Sequence, residues 1–199
     1  LLTLAFSSAA LRASENVLTN PDFDIPQLEA GWSIYYGSLL DWTPEDGNAC
    51  AGSGAGRIAS STTDIGTQWA QLGQCQAVDT SWTAGYHAAF SYFSYETLGL
   101  AFATFFYYTD SACGLGGGSY LGLDSSPGSI APGWRRAEIS VMDLPPHTQS
   151  VLVSVGAEAY QETRMELSVD RAYFGPRPVI FSDGFEPVAS FCRWSAAAP

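Results

Sequence analysis

Residues 133–157 read GWRRAEISVMDLPPHTQSVLVSVGA and contain the clearest periodic pattern in the chain. On both sides of the Pro-Pro pair, apolar residues alternate with polar or small ones. The alternating apolar residues are Ala137, Ile139, Val141, Val151, Val153 and Val155. A period of two places them on one face of an extended segment, which is typical of half-buried strands. This stretch therefore predicts two strands separated by a turn.

The sequence on either side of this stretch also consists of short strand-like runs separated by turn residues. Glycine and proline interrupt the chain often, and no long helical periodicity survives between them. Besides 135–141 and 151–155, strand-like runs occupy residues 31–36, 56–60, 68–78, 86–95, 100–108 and 166–174. Short alternating strands divided by turn residues indicate an all-β chain folded as a two-sheet sandwich or a barrel.

Two local irregularities lead to separate predictions. Residues 157–165 lack Gly and Pro, but a helix there would stack Glu158, Glu162 and Glu166 at a spacing of four, so we predict a loop or hairpin. In the last strand, Leu167 and Val169 alternate in phase, whereas Ala172 and Phe174 resume out of phase. One extra residue at 170–171 restores the phase, which predicts a β-bulge.

Composition excludes several classes of function. The chain has 199 residues, enough for one domain, with 20 acidic residues against 8 basic ones and a net charge of −12. A polyanion needs clustered cations, so nucleic acid is excluded as a partner. All the basic residues are arginine, which excludes lysine chemistry such as a Schiff base or a P-loop.

The two ends of the chain differ from the middle. Residues 1–11 form an apolar run that is too short to span a bilayer and is followed by small residues. We therefore expect residues 1–13 to be the end of a secretory signal that is cleaved after Ala10 or Ala13. The alternative is a buried N-terminal helix or strand. Pro176 and Pro178 mark a stop, so we assign 14–175 to one β domain and 176–199 to a tail. The apolar stretch 97–109 is also too short to span a bilayer, so we expect no membrane anchor. Together with the secretory signal, this predicts a secreted protein.

The four cysteines indicate disulfides. Cys50, Cys75, Cys113 and Cys192 include no C-x-x-C pair, and neither histidine has a neighbouring ligand, so their spacing does not suit a metal. In an exported protein, four cysteines are most simply read as two disulfides. Three connectivities are possible.

The order of several motifs resembles a known family. The segments are NVLTNPDFDIPQLEAGW at 16–32, LGQCQAVDTSWTAGYHAAFSY at 72–92, FFYYTDSACG at 105–114, the stretch quoted at the start, and LSVDRAYFG at 167–175. They resemble, in this order, the motifs of galactose-binding-domain-like jelly rolls, particularly the CenC-type carbohydrate-binding modules of secreted bacterial proteins. The resemblance implies an antiparallel jelly-roll β-sandwich that binds a polysaccharide or another glycan.

The resemblance also implies a disulfide and a metal. In the family pattern two cysteines bridge neighbouring elements, which here pairs Cys75 with Cys113 and leaves Cys50 with Cys192. A structural calcium commonly joins the first and last strands, and the matching carboxylates are Asp24 and Asp170. Asp24 is one methylene shorter than the usual Glu, so Asp22 is an alternative ligand. The simpler interpretation is that these aspartates are turn and surface residues.

A sugar site needs flat aromatic faces together with polar groups at their edges. Trp42 and Trp82 lie in turn-like surroundings where burial is not required, so we predict them as ligand-binding residues, with Glu96 and Arg57 as polar partners. Most other aromatic residues are expected in the core. A third group has strand positions that also suit a solvent-facing side chain: Tyr35, Tyr36, Trp69, Tyr95 and Tyr107.

Catalysis has little support in the sequence. No acidic pair lies in a recognisable glycosidase motif, and AGSGAG at 51–56 lacks the order of a serine nucleophile elbow. Glycine-rich GLGGGS at 114–119 follows a cysteine turn and does not open a helix, so it predicts a flexible loop. We therefore expect a non-enzymatic binding module. The alternative is a structural or adhesive surface domain that contacts protein partners.

Overall fold

The computed structural model describes residues 16–23, 31–37, 39–45, 54–60, 66–79, 82, 85–94, 100–114, 119–125, 134–162 and 164–176. These residues form ten strands: β1 (Ser33–Tyr36), β2 (Leu39–Thr43), β3 (Ala55–Ala59), β4 (Gly66–Ala77), β5 (Tyr86–Ser94), β6 (Leu100–Tyr108), β7 (Ser119–Ser125), β8 (Arg135–Val141), β9 (Ser150–Glu162) and β10 (Glu166–Pro176). The first sheet has the order β1-β4-β9-β6-β7 and the second has the order β2-β3-β10-β5-β8. All pairings are antiparallel. The fold is the antiparallel β-sandwich of jelly-roll type that the sequence predicts.

The core lies between the sheets and follows the alternation read from the sequence. Val151, Val153 and Val155 of β9 are fully buried, and Ala137 and Ile139 of β8 are buried on the opposite sheet. All eight predicted strand regions contain a strand, whereas β2 and β7 were not predicted. Neither of the missed segments shows a clean alternation of apolar and polar residues. β2 contains Trp42 and is followed by Pro44, and β7 has a glycine at its centre.

The strand β9 is longer than predicted. Residues 157–162 continue this strand, with Ala157 and Ala159 buried in the core, so the prediction of a loop or hairpin there is wrong. The next strand, β10, belongs to the other sheet and does not pair with β9. The predicted bulge is confirmed, because three steps from Asp170 to Tyr173 pair with two steps from Ser91 to Ala89. Arg171 takes up the extra residue with a left-handed φ of 52°.

The opening segment is attached to the last strand. The Asn16 side chain donates from Nδ2 to the Ala172 carbonyl at 2.9 Å and accepts at Oδ1 from the Phe174 N–H at 3.1 Å. The Ala172 N–H in turn donates to the Pro21 carbonyl at 2.8 Å. The first residues that the structure describes thus lie beside the β-bulge near the end of the chain.

The Cys75–Cys113 disulfide is formed, as the resemblance implies. It ties the turn after β6 to β4, two strands away in the first sheet. Cys50 and Cys192 lie outside the described residues, as do residues 1–15 and 177–199. No helix in the described ranges has the length and hydropathy that a membrane crossing requires.

Candidate functional site

The outward side of the first sheet carries a group of aromatic side chains. On β4, Ala70 and Leu72 point into the core, so their neighbour Trp69 points outward. The neighbouring strand β1, and β6 on the far side of β9, bring further rings to the same side. We call this surface the aromatic face and define it by Tyr35, Tyr36, Trp69, Phe102 and Phe106.

The rings of the aromatic face form a connected array. Tyr36 lies 6.4 Å from Trp69 between ring centroids, and Trp69 lies 6.1 Å from Phe102. Tyr35 contacts both Tyr36 at 5.0 Å and Phe106 at 5.8 Å. The three outer rings stay open to solvent, with exposures of 43% for Tyr35, 53% for Tyr36 and 42% for Trp69. Soluble proteins rarely expose such a contiguous apolar patch without a binding role.

A glycine allows two of these rings to meet across an intervening strand. Trp69 belongs to β4 and Phe102 to β6, and β9 runs between them with Gly156 directly opposite Phe102. A Cβ atom on Gly156 would collide with the Ala70 carbonyl and press on Gln71. Gly156 therefore permits a close approach of β9 to β4 and leaves room for the rings above it.

Buried polar side chains lie on the same side of the sheet. Gln71 donates from Nε2 to the Ser154 hydroxyl, which itself donates to the Leu72 carbonyl at 3.0 Å. Thr104 donates from its hydroxyl to the Ser154 carbonyl at 3.4 Å. These three side chains are almost fully buried. Their hydrogen bonds fix the position of polar groups next to the exposed rings.

One carboxylate belongs to this side of the sheet. Glu158 pairs with Trp69 on one neighbouring strand and with Leu100 on the other, and only 7% of its surface is exposed. Tyr160, two residues along the same strand, is exposed and shares a hydrogen bond with Glu158. The charge of Glu158 raises the pKa of Tyr160 above its usual value, and this hydrogen bond contributes in the same direction.

A second tyrosine of this sheet is also kept protonated. Burial raises the pKa of Tyr108 above its usual value, and the neighbouring Tyr35 and Asp110 raise it further. The phenol of Tyr108 can donate a hydrogen bond to a ligand oxygen, whereas the hydrogen of Tyr160 is already shared with Glu158.

The two sheets differ sharply in charge. The five strands of the first sheet, as the structure bounds them, contain no Lys, Arg or His but three carboxylates, Asp124, Glu158 and Glu162. The strands of the second sheet carry four arginines, Arg57, Arg135, Arg136 and Arg171, and one histidine, His87. Cationic side chains are therefore confined to the sheet opposite the aromatic face within these ten strands.

The structure does not bring Trp42 and Arg57 together as one site. Trp42 lies on β2, not in a turn as its flanking residues suggest, and pairs with Gly56. It is half-buried, its ring covers Gly54, and its indole N–H donates to the Phe23 carbonyl at 3.0 Å. Arg57 is one position further along β3 and faces the other way, where it forms an ion pair with Asp41 at 3.0 Å.

Trp82 lies in the turn that the sequence predicts and is half-buried against the core. Its ring centroid is 5.3 Å from Tyr86 and 5.8 Å from Phe174. Glu96 lies outside the described residues. The binding roles assigned to Trp42, Trp82, Glu96 and Arg57 stay predictions.

Of the predicted calcium ligands, Asp170 and the alternative Asp22, which is half-buried, belong to the described residues. The Asp170 side chain is fully buried at the bulge, and its Oδ1 accepts a hydrogen bond from the Arg171 N–H at 2.6 Å. Asp24 falls outside the described ranges, three residues after Pro21, whose carbonyl binds β10. Within the described residues, no group of three or more His, Cys, Asp or Glu side chains is placed to hold a metal.

The comparisons with known proteins concern the fold. The chain matches no protein-family model and no curated protein sequence. Among solved structures, it is similar to TmCBM61, a carbohydrate-binding module determined in complex with beta-1,4-galactotriose, with 15% identity and a TM-score of 0.54 over 82% of this chain and all of that one. A second similar structure comes from a study of the promiscuous specificity of carbohydrate-binding modules from the beta-sandwich superfamily, with 14% identity and a TM-score of 0.55 over 81% of this chain and 63% of that one.

Enzymes with a similar domain also occur among these structures. The enzymatically active domain of tailspike protein 4 from bacteriophage CBA120 has 10% identity and a TM-score of 0.57, and the match covers 80% of this chain but only 21% of that one. At these identities the likeness establishes a shared β-sandwich fold. The CenC-type assignment is finer than these structures support.

Proposed function

We propose that this protein is an extracellular, non-catalytic carbohydrate-binding module that holds a glycan against the aromatic face of its first sheet. The observation that carries the proposal is the connected array of solvent-open rings at Tyr35, Tyr36 and Trp69. Sugar rings expose an apolar side that packs on flat aromatic faces, while their hydroxyls need polar partners at the edges.

Polar groups are available beside these rings. We expect the carboxylate of Glu158 to accept hydrogen bonds from sugar hydroxyls and the phenol of Tyr108 to donate one to a sugar oxygen. The fold likeness to TmCBM61, which was determined with beta-1,4-galactotriose, is consistent with this use of the sandwich. The Cys75–Cys113 disulfide favours an oxidising, extracellular compartment.

The aromatic face is a better candidate than the residues predicted first. Trp42 and Trp82 each have one side of the ring engaged in packing, whereas Trp69 keeps 42% of its surface open and has exposed aromatic neighbours. A ligand gains most where several rings are already exposed and held in place.

We also propose that Asp170, with Asp24 or Asp22, holds a structural calcium between the two chain ends. Burying a carboxylate is costly unless a cation or hydrogen bonds compensate, and Asp170 is fully buried. Carboxylate and carbonyl oxygens are the ligands that calcium prefers. The ion would hold the opening segment against β10, where the Pro21 carbonyl already binds.

The test is a panel of soluble neutral polysaccharides, including beta-1,4-galactan, screened by affinity electrophoresis with calcium and again with a chelator. Retardation by at least one glycan without release of reducing ends supports the proposal. Stacking on one or two rings buries little area, so dissociation constants weaker than about 1 μM are expected. No retardation by any glycan contradicts the proposal and favours a structural or adhesive surface domain; release of reducing ends shows that the protein is an enzyme.

A further inference from the structure

The charge of the first sheet bears on which glycans its aromatic face accepts. Its five strands contain no cationic side chain, and Glu158 adds a carboxylate between Trp69 and Leu100. A glycan with carboxylate or sulfate groups would bring negative charge to this surface without a cation to neutralise it. The net charge of −12 adds a long-range field of the same sign.

A positively charged group would meet the opposite situation. The exposed rings of Tyr36 and Trp69 present electron-rich faces that attract cations, and Glu158 supplies a formal negative charge beside Trp69. Glu158 is nine-tenths buried, so water screens its charge less than it screens a surface carboxylate. Trp69, the register partner of Glu158, and Tyr160, two residues along β9, are both exposed.

We infer that the aromatic face selects its glycan by charge: it prefers sugars that carry a free, protonated amino group and excludes acidic sugars. The Glu158 carboxylate binds the amino group. This inference rests on the proposed function and narrows it to one ligand class, an oligosaccharide of unsubstituted amino sugars. The amine fills the role that a hydroxyl takes in a neutral glycan, but as a charged donor to a carboxylate. Such charge-assisted hydrogen bonds are about twice as strong as neutral ones.

Three oligosaccharides of equal length test the inference by calorimetry at a mildly acidic pH. They are a β-1,4-linked hexamer of glucosamine, the corresponding N-acetylglucosamine hexamer, and a hexamer of galacturonic acid. We expect the glucosamine hexamer to bind at least about tenfold tighter than the N-acetylated one. No binding of the galacturonate hexamer is expected. Salt screens the long-range field of the net charge but screens the buried Glu158 carboxylate much less, so the ratio should fall only in part as sodium chloride is added; complete loss of the preference at high salt would contradict the role of Glu158.

The matched variants are Glu158→Gln and Glu138→Gln. Both remove one negative charge, but Glu138 lies on β8 of the second sheet, where it pairs with Arg136. Glu158→Gln should remove most of the preference for the free amine, and Glu138→Gln should keep it. If Glu158→Gln does not fold, the salt dependence of the wild-type ratio decides the question. Pentalysine serves as a polycation without sugar rings and should not bind.

The outcomes separate the two levels of the proposal. Equal affinity for the amine and N-acetyl hexamers, an unchanged preference in Glu158→Gln, or tight binding of galacturonate overturns the charge selection alone, provided that a neutral glycan still binds. If pentalysine binds as well as the glucosamine hexamer, the attraction is nonspecific and the inference is wrong. If no glycan of any charge binds, the proposed function itself fails.

Discussion

Replacing Trp69 with alanine should weaken glycan binding while leaving the protein folded. Trp69 keeps 42% of its surface open, and a large aromatic side chain has about 250 Å² to bury, so about 100 Å² is available to a ligand. A pyranose ring that covers half of this removes about 50 Å² of indole and a similar area of its own apolar side from water, which is worth about 2.5 kcal/mol at about 25 cal/mol per Å². Ordering the contact costs about 0.5–1.5 kcal/mol.

The remaining 1–2 kcal/mol, about 5- to 30-fold in the dissociation constant, is the expected loss for Trp69→Ala. Calorimetry against the best glycan of the panel measures it, with the melting temperature as a control for folding. Trp134→Ala is the matched control, since Trp134 packs beside Phe93 on the second sheet at 6.2 Å. An unchanged affinity in folded Trp69→Ala would refute the assignment of the site to the aromatic face.

Three further predictions concern the calcium site, the disulfide and the pH dependence of stability. If calcium binds at Asp170, a calcium concentration about 100 times its dissociation constant should add about 2.7 kcal/mol to the free energy of unfolding and raise the melting temperature by about 5–10 °C. Asp170→Asn should abolish this rise. Equal melting temperatures in calcium and in chelator would contradict the site. Peptide mapping without reduction should recover the Cys75–Cys113 linkage, and free thiols at both positions would contradict it. Burial, with a smaller effect of Asp79, raises the pKa of Tyr86 above its usual value of 10.0. The protonated phenol therefore stabilises the fold below about pH 10, and this stabilisation is lost as the pH rises further. The alkaline decline in unfolding free energy should be shallower in Tyr86→Phe, and an identical decline in both proteins would contradict the assignment.

The alternation of apolar and polar residues predicted an all-β sandwich or barrel, and the family resemblance narrowed this prediction to a jelly-roll sandwich. Val151, Val153 and Val155 show why, because a strand with one buried face must repeat every two residues. The same logic located the bulge at 170–171 from a shift of phase. It missed β2, where Trp42 stands in a short edge segment without clear alternation.

The candidate site was harder to predict because it depends on pairing between strands. The sequence identified Tyr35, Tyr36 and Trp69 as suited to a solvent-facing position, but it did not show that β1 and β4 are neighbours. The contact of Trp69 with Phe102 also depends on β9 running between them with a glycine at 156. Such contacts follow from sheet order, which local periodicity does not encode.

The six tryptophans allow the central claim to be tested in one titration. Each indole N–H gives its own signal in a proton–nitrogen correlation spectrum. The signal lost in each of the variants Trp69→Phe, Trp42→Phe and Trp82→Phe assigns these three. As a glycan that binds in the panel is titrated into the protein, the Trp69 signal should shift progressively. The Trp42 signal should stay in place, because its N–H is hydrogen-bonded to the Phe23 carbonyl. A shift of the Trp42 or Trp82 signal with an unmoved Trp69 would contradict the aromatic face as the binding site.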